Sequence, residues 1–206
     1  MGLNVLTLLI LITVLVSMQA MQNGELKEKW MYSPYLVKHY QQGYRIFSHM
    51  WIHADFAHLF FNMFSLYALG GMLEMELIYE YGKIKGELHF LTVYLLGGLF
   101  ATLIPYIRNH ENPAYRSLGA SGAVSAIVFA AILWRPEMEL QFIFIPISFK
   151  AYWFGLFYLA YEIYMDKRGN TGIAHDAHIG GAILGVVYIL FINFGKLSHF
   201  VHQFIS

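Results

Sequence analysis

Apolar residues run through this chain in long blocks, at about 3–21, 55–73, 88–107, 117–134, 148–165 and 174–194, with charged and turn-forming positions gathered between them. Each block is close to the ~20 residues that a helix needs to cross the hydrocarbon core of a bilayer, and none alternates in the manner of a half-buried strand. The pattern predicts six membrane-spanning helices. The connections carry stop and turn signals: Lys83, Lys85 and Gly86; Arg108 to Arg116 with Pro113; Arg135-Pro136-Glu137; and Asp166 to Asn170. Residues 22–52 are different in kind. They mix Lys27, Glu28, Pro34, Lys38 and Arg45 with rings such as Trp30, Tyr32, Tyr44 and Trp51, which settle at headgroup depth, so a long first loop lying along the interface is expected. The first block, Leu3 to Met21, has no charge before Glu25 and lacks the basic start of a secretory signal, so it is read as a retained span.

Composition agrees: 58% of residues are hydrophobic and 13% charged. The expected fold is an all-α membrane protein, one domain over residues 1–206, with a six-helix bundle and the interfacial loop 22–52. A net charge of zero leaves no basic face for nucleic acid. The absence of cysteine removes disulfides, thiolate metal sites and a cysteine nucleophile, so covalent catalysis would have to use another residue.

Some polar residues lie inside the apolar blocks. Helices two, four and six cross in one direction, so their amino-terminal thirds share one side of the bilayer, and those thirds hold His58 with Asn62, Ser121, and His178. At about 1.5 Å per residue, Ser121 stands about 7 Å past Arg116 and His178 about 10 Å past Thr171. His58 and Asn62 are four apart and share a helical face. Each of these residues alone is readily explained as interhelical glue. Together they supply a nucleophile, a base and two donors for an oxyanion, which is the inventory of an acyl-transfer site. No carboxylate is evidently placed to orient His178, since Asp176 lies two residues away and faces elsewhere on a helix, so a serine and histidine dyad is favoured over a triad. Gly181 and Gly185, spaced Gly-x-x-x-Gly, would let helix six approach helix four.

In order and spacing these residues resemble the rhomboid intramembrane serine proteases over nearly the whole chain. Gly119-Ala120-Ser121-Gly122 is similar to that family's nucleophile motif, and Ala177-His178-Ile179-Gly180-Gly181 with Gly185 to its histidine motif. His53, His58 and Asn62 resemble the pattern of its second helix, Tyr44-Arg45 the aromatic and arginine pair of its first loop, and Glu74 a glutamate closing helix two. The resemblance implies Ser121 as nucleophile, His178 as general base and acid, and His58, Asn62 and the Ser121 amide as the oxyanion site. It further implies transmembrane protein substrates within the lipid bilayer, no cofactor or metal, and access past helix five with the loop Ile163 to Thr171 as a cap. It places the amino terminus inside and the active site toward the outer face of a bacterial inner membrane. The basic residues do not decide orientation. Ser125 departs from the family, which often has a tyrosine there to stack on the imidazole; Ser125 itself, Tyr152 or Tyr158 would have to support the ring.

Hydrolysis at this depth needs a water-filled cavity, for which His53, His58, Asn62, His175 and Ser117 are the expected polar lining. Two rival readings are weaker. A histidine-ligated metallohydrolase would draw on His49, His53, His58, His175 and His178, but no carboxylate or third histidine is fixed beside the His49 and His53 pair. A non-catalytic transporter or binding protein would not need both Ser121 and His178, and no charged coupling residue sits mid-helix, as ion transport would need.

Overall fold

In the computed structural model, which describes residues 4–141, 147–169 and 171–205, the first apolar block forms α1 (Val5–Gln22). Leu3, where that helix was expected to begin, and Asn170 of the fifth connection lie outside the described residues. The first loop folds into three short helices, α2 (Gly24–Trp30), α3 (Pro34–Tyr40) and α4 (Arg45–Ser48), and a 3-10 turn over His49–Trp51. It is built around buried Arg45, whose Nη1 donates to the carbonyls of Glu28 at 2.8 Å and Met31 at 2.7 Å, while Nε donates to Gln42 Oε1 at 2.6 Å. A planar guanidinium with several fixed donors can tie such loop strands together where lysine could not.

The second block continues from α5 (Phe56–Ser65) through a π turn over Leu66–Gly70 into α6 (Gly71–Tyr81). It runs eight residues past the expected end at 73. The buried Glu74 in that extension accepts from the backbone N–H of Leu6 at 3.0 Å, which places a carboxylate at the positive end of α1. The third block forms α7 (Lys83–Phe100) and, after a break at Ala101 and Thr102, α8 (Leu103–Asn109). The fourth gives α9 (Ser121–Trp134), followed by an unforeseen hairpin of β1 (Glu139–Gln141) and β2 (Ser148–Lys150), antiparallel with Leu140 opposite Phe149. The chain then forms α10 (Ala151–Arg168), α11 (His175–Ile192) and α12 (Gly195–His202).

Among the described residues, four spans are long and apolar enough to cross a bilayer: Val5–Gln22, Phe56–Tyr81, Lys83–Asn109 and His175–Ile192. α9 is apolar but shorter, and α10 has the length but carries Glu162, Asp166, Lys167 and Arg168. Every residue of α9 from Gly122 to Trp134 is buried. A helix apolar on all sides belongs at the centre, and α11, α7 and the π turn surround it. The outer helices turn apolar side chains outward instead, among them Leu15, Phe60, Phe61 and Phe191, the last 84% exposed. Such a surface suits lipid as solvent and defines an all-α membrane fold.

Close approach to α9 is made by small residues. A methyl group added at Gly181 would fall on the carbonyl oxygen of Gly122, and one at Gly185 on that of Ala126. A methyl group at Gly122 would strike Ala101, and one at Gly97 would strike Ala126. The Gly181 and Gly185 face thus lies directly against the backbone of the helix that begins with Ser121.

Candidate active site

The sequence places Ser117 in the fourth apolar block, but the helix starts only at Ser121. Residues Ser117 to Ala120 form an ordered, non-helical approach held by the first loop. Tyr32 and Ser117 exchange two backbone hydrogen bonds, 2.8 Å from the Tyr32 N–H and 3.1 Å from the Ser117 N–H. The Gly119 N–H donates to the His49 carbonyl at 2.9 Å, and the Ala120 N–H donates to Nε2 of His53 at 3.3 Å. Gly119 has φ +119°, and a side chain there would strike the imidazole of His58. Glycine is therefore required twice, for its backbone angle and for the ring lying against it.

His53 has a defined role in this support. Ser17 donates its hydroxyl proton to the Trp51 carbonyl at 2.9 Å, so at 2.8 Å from His53 its oxygen accepts from Nδ1–H, leaving the Nε2 lone pair for Ala120. Burial, with His58 nearby, holds this imidazole far below its ordinary value, to about 3, and burial holds that of His49 down to about 4. The unfolded chain binds protons on both rings below about pH 6.5 whereas the folded chain does not, so their contribution to stability is full above that pH and is lost as the pH falls. The melting temperature is expected to drop between about pH 7 and pH 5, and to drop less in His53→Gln, which can still donate to Ser17 and accept from Ala120. Identical pH dependence in the two proteins would refute this account of His53.

Ser121 is the first residue of α9, where backbone N–H groups have no partner inside the helix and the helix dipole favours negative charge. Its hydroxyl lies 2.8 Å from Nε2 of His178 on α11. The two residues singled out on separate helices thus meet. His58 and Asn62, four apart on α5, line the same cavity as Ser121 and His178, while Asp55 caps α5 by accepting from the His58 N–H at 2.8 Å. One N–H of the Asn62 amide donates to the His58 carbonyl at 2.9 Å, which leaves the second without a partner among the described residues.

The cavity measures about 1070 Å³. Its lining includes Ser117, His58, Asn62 and His175, as expected, but not His53, which lies behind the Gly119 and Ala120 strand. Arg108, Asp166 and Asp176 add charge, and Phe61, Val128 and Phe154 an apolar wall. The segment expected as a loop cap is helical as far as Arg168; Gly169, Thr171, Gly172 and Ile173 beyond it border the cavity.

The side chain at position 125 does not replace a stacking ring. Ser125 donates to the His178 carbonyl at 3.0 Å, fixing the α11 backbone under the imidazole. Tyr158 approaches from α10 with its hydroxyl 3.5 Å from Nδ1 of His178. Tyr152 packs against Trp153 and Phe204 instead.

A carboxylate is also present, contrary to expectation. Glu162 of α10 is 3% exposed, and its Oε2 lies 3.1 Å from Nδ1 of His178 and 2.6 Å from Nδ1 of His175. Asp176, discounted from the sequence, does face away: it lies 3.7 Å from Arg108, which also pairs with Asp166 at 2.7 Å. The level argument applied to helices two, four and six would have found Glu162, because an antiparallel helix five brings its carboxy-terminal third to the same depth. Glu162, buried inside α10, corrects the expectation that no charged coupling residue sits mid-helix.

Glu162, His175 and His178 have ligand atoms within 4.8 Å of one another, the one such group among the described residues. Two ligands of a tetrahedral zinc stand roughly 3.4 Å apart, whereas Glu162 and His175 are at hydrogen-bonding distance, 2.6 Å. The arrangement fits one carboxylate oxygen accepting from two imidazole N–H groups. His49 and His53 do not form the pair that a metal reading needs, since His49 Nδ1 contacts the Arg45 carbonyl at 3.1 Å and His53 is held by Ser17 and Ala120.

Residues 40–193 match the family model described as Rhomboid domain. The chain is 32% identical over 145 residues to the presenilin-associated rhomboid-like protein, mitochondrial, of Bos taurus, covering 68% of this chain and 35% of the relative. It is 30% identical over 152 residues to RHOMBOID-like protein 12, mitochondrial, of Arabidopsis thaliana, covering 66% and 42%. A third relative, Rhomboid-like protein 11, chloroplastic, also of Arabidopsis thaliana, is 29% identical over 167 residues, covering 76% and 55%. The chain therefore spans from about a third to about half the length of these relatives. Their named compartments are organelles, which overturns the expected bacterial inner membrane. That expectation rested on resemblance alone, because the charge distribution along the loops favoured neither orientation.

Proposed function

The chain belongs to the rhomboid family, and from that premise we propose that it is an intramembrane serine endopeptidase that cuts transmembrane segments of other proteins with Ser121 and His178. The observation that carries this reading is the 2.8 Å contact between the Ser121 hydroxyl and Nε2 of His178, at the mouth of a helix and on the wall of a cavity.

Oγ of Ser121 attacks the carbonyl carbon of the scissile amide as its proton passes to Nε2 of His178. The displaced electron pair goes to the carbonyl oxygen, which the Ser121 amide, His58 and the second N–H of Asn62 receive. Collapse breaks the C–N bond, and the imidazolium returns the proton to the departing amine, leaving Ser121 acylated. Water then gives a proton to Nε2 and its oxygen to the acyl carbon, and collapse releases the new carboxylic acid as Oγ regains the proton. The same base serves both halves.

A bilayer hides peptide carbonyls inside hydrogen-bonded helices, so the substrate must unwind locally before attack. Glycine or proline near the cut would lower that cost. The mixed polar and apolar lining suits an extended peptide beside water. The relatives' compartments make an organelle membrane the setting of this reading.

The test is reconstitution in liposomes with a single-span substrate containing a helix-breaking residue. The wild-type protein is expected to cut within or beside the span. Ser121→Ala should fall to background with an unchanged melting profile, and wild-type cleavage by that variant would overturn the proposal.

A further inference from the structure

Glu162 is a buried acid on a helix otherwise rich in rings, and neither the serine nor the oxyanion chemistry above uses it. Its surroundings are specific. Oε2 faces Nδ1 of His175 and Nδ1 of His178, two rings that stand three residues apart on α11 and so project from one face. The nearby arginine is committed elsewhere, Arg108 pairing with Asp166 and Asp176. The two histidines, together with the Tyr158 hydroxyl, are thus the partners through which this carboxylate escapes the cost of burial.

We propose that Glu162 is a positioning residue for His178, making the site a three-member relay of carboxylate, imidazole and hydroxyl; this rests on the peptidase reading above. For Nε2 to take the Ser121 proton, its lone pair must face Oγ, and the ring proton must therefore sit on Nδ1. That proton needs an acceptor. Glu162 offers an oxygen at 3.1 Å, against 3.5 Å for the Tyr158 hydroxyl, and only the carboxylate carries a negative charge to face the imidazolium formed during attack. No proton passes to Glu162 in this scheme. The charge on His178 rises when Ser121 is deprotonated and disappears when the leaving amine is protonated, while Glu162 stays ionised throughout.

His175 completes the arrangement from the other side. Its Nδ1–H donates to the same oxygen at 2.6 Å, pinning the carboxylate when His178 swings slightly during proton transfer. A tie between α10 and α11 alone would need just one of these histidines. The second contact falls on the ring whose other nitrogen already holds the nucleophile.

The experiment compares wild type, Glu162→Gln, Glu162→Asp and Ser121→Ala in liposomes with the same single-span substrate, reading kcat, KM and the melting profile. Glutamine has the shape of glutamate but loses the charge in either amide orientation and in one of them turns a donor toward Nδ1, so kcat is expected to fall about 10²- to 10⁴-fold with KM nearly unchanged. Glu162→Asp keeps the charge on a shorter stem and should recover part of that loss. Wild-type kcat in Glu162→Gln, with Ser121→Ala inactive, would overturn this inference and leave the peptidase reading standing. Equal losses in the Gln and Asp variants, tracking a lowered melting profile, would also overturn it, by reducing Glu162 to a helix tie. Cleavage by Ser121→Ala at the wild-type rate would instead sink the peptidase reading itself.

Discussion

Substitution of His178 with alanine is expected to lower turnover of a transmembrane substrate roughly 10⁴-fold or more, with substrate binding and folding little changed. A serine hydroxyl is a weak nucleophile until a base takes its proton, and Nε2 of His178 stands 2.8 Å from Ser121 Oγ. Removing the ring leaves Ser121 in place at the start of α9 and leaves the Glu162 contact with His175 at 2.6 Å, so the link between α10 and α11 survives. The loss should therefore appear in kcat and in the rate at which a fluorophosphonate labels Ser121, with the melting profile as control. Activity within tenfold of wild type would mean that the hydroxyl is activated by some other group.

Gly181→Val should be nearly as damaging by an unrelated route. A Cβ at this position meets the backbone carbonyl of Gly122, the residue after the nucleophile, and a carbonyl inside a helix cannot turn aside as a side chain could. The helices must separate. Overpacking of this kind typically costs about 1–3 kcal/mol and sometimes more. A shift of even 1 Å also spoils the contact between Oγ and Nε2, so cleavage is expected to fall by about 10²-fold or more while the protein still inserts. Gly185→Val should behave alike, since its Cβ meets the Ala126 carbonyl. Gly43→Ala is the matched control, because nothing lies within 4 Å of its added carbon. Equal activity and melting in Gly181→Val and Gly43→Ala would remove the steric argument.

The contrast between Ser121 and Glu162 shows where reading of the chain succeeds and where it stops. Ser121, His178, His58 and Asn62 could be found because each interrupts an apolar block at a depth fixed by helix rise, and because alternate helices point the same way. Glu162 obeys the same geometry on a helix of opposite direction, yet its block also contains Lys150 and is followed at once by Asp166, Lys167 and Arg168, so one more charge near its end does not stand out. The start of α9 was misplaced for another reason. Ser117 to Ala120 is uncharged like the helix it leads into, and composition does not distinguish an extended approach from a first turn; bonds from Tyr32, His49 and His53 decide it. The hairpin after α9 is three residues per strand, too short for any periodicity to register.

The linear chain by itself determined that lipid is the solvent, since long apolar blocks have no other way to satisfy both side chains and backbone, and it determined which polar groups share a depth. Rotation and lateral order of the helices belong to the tertiary structure. Those decide that α9 is enclosed on every side, that the first loop, tied together by Arg45, grips the strand before the nucleophile, and that His178 has Ser121 at one nitrogen and Glu162 at the other. The reason is that one helix's pattern fixes a side chain's height and facing on that helix, whereas distances between helices arise from packing, here from glycines whose missing side chains let two backbones touch.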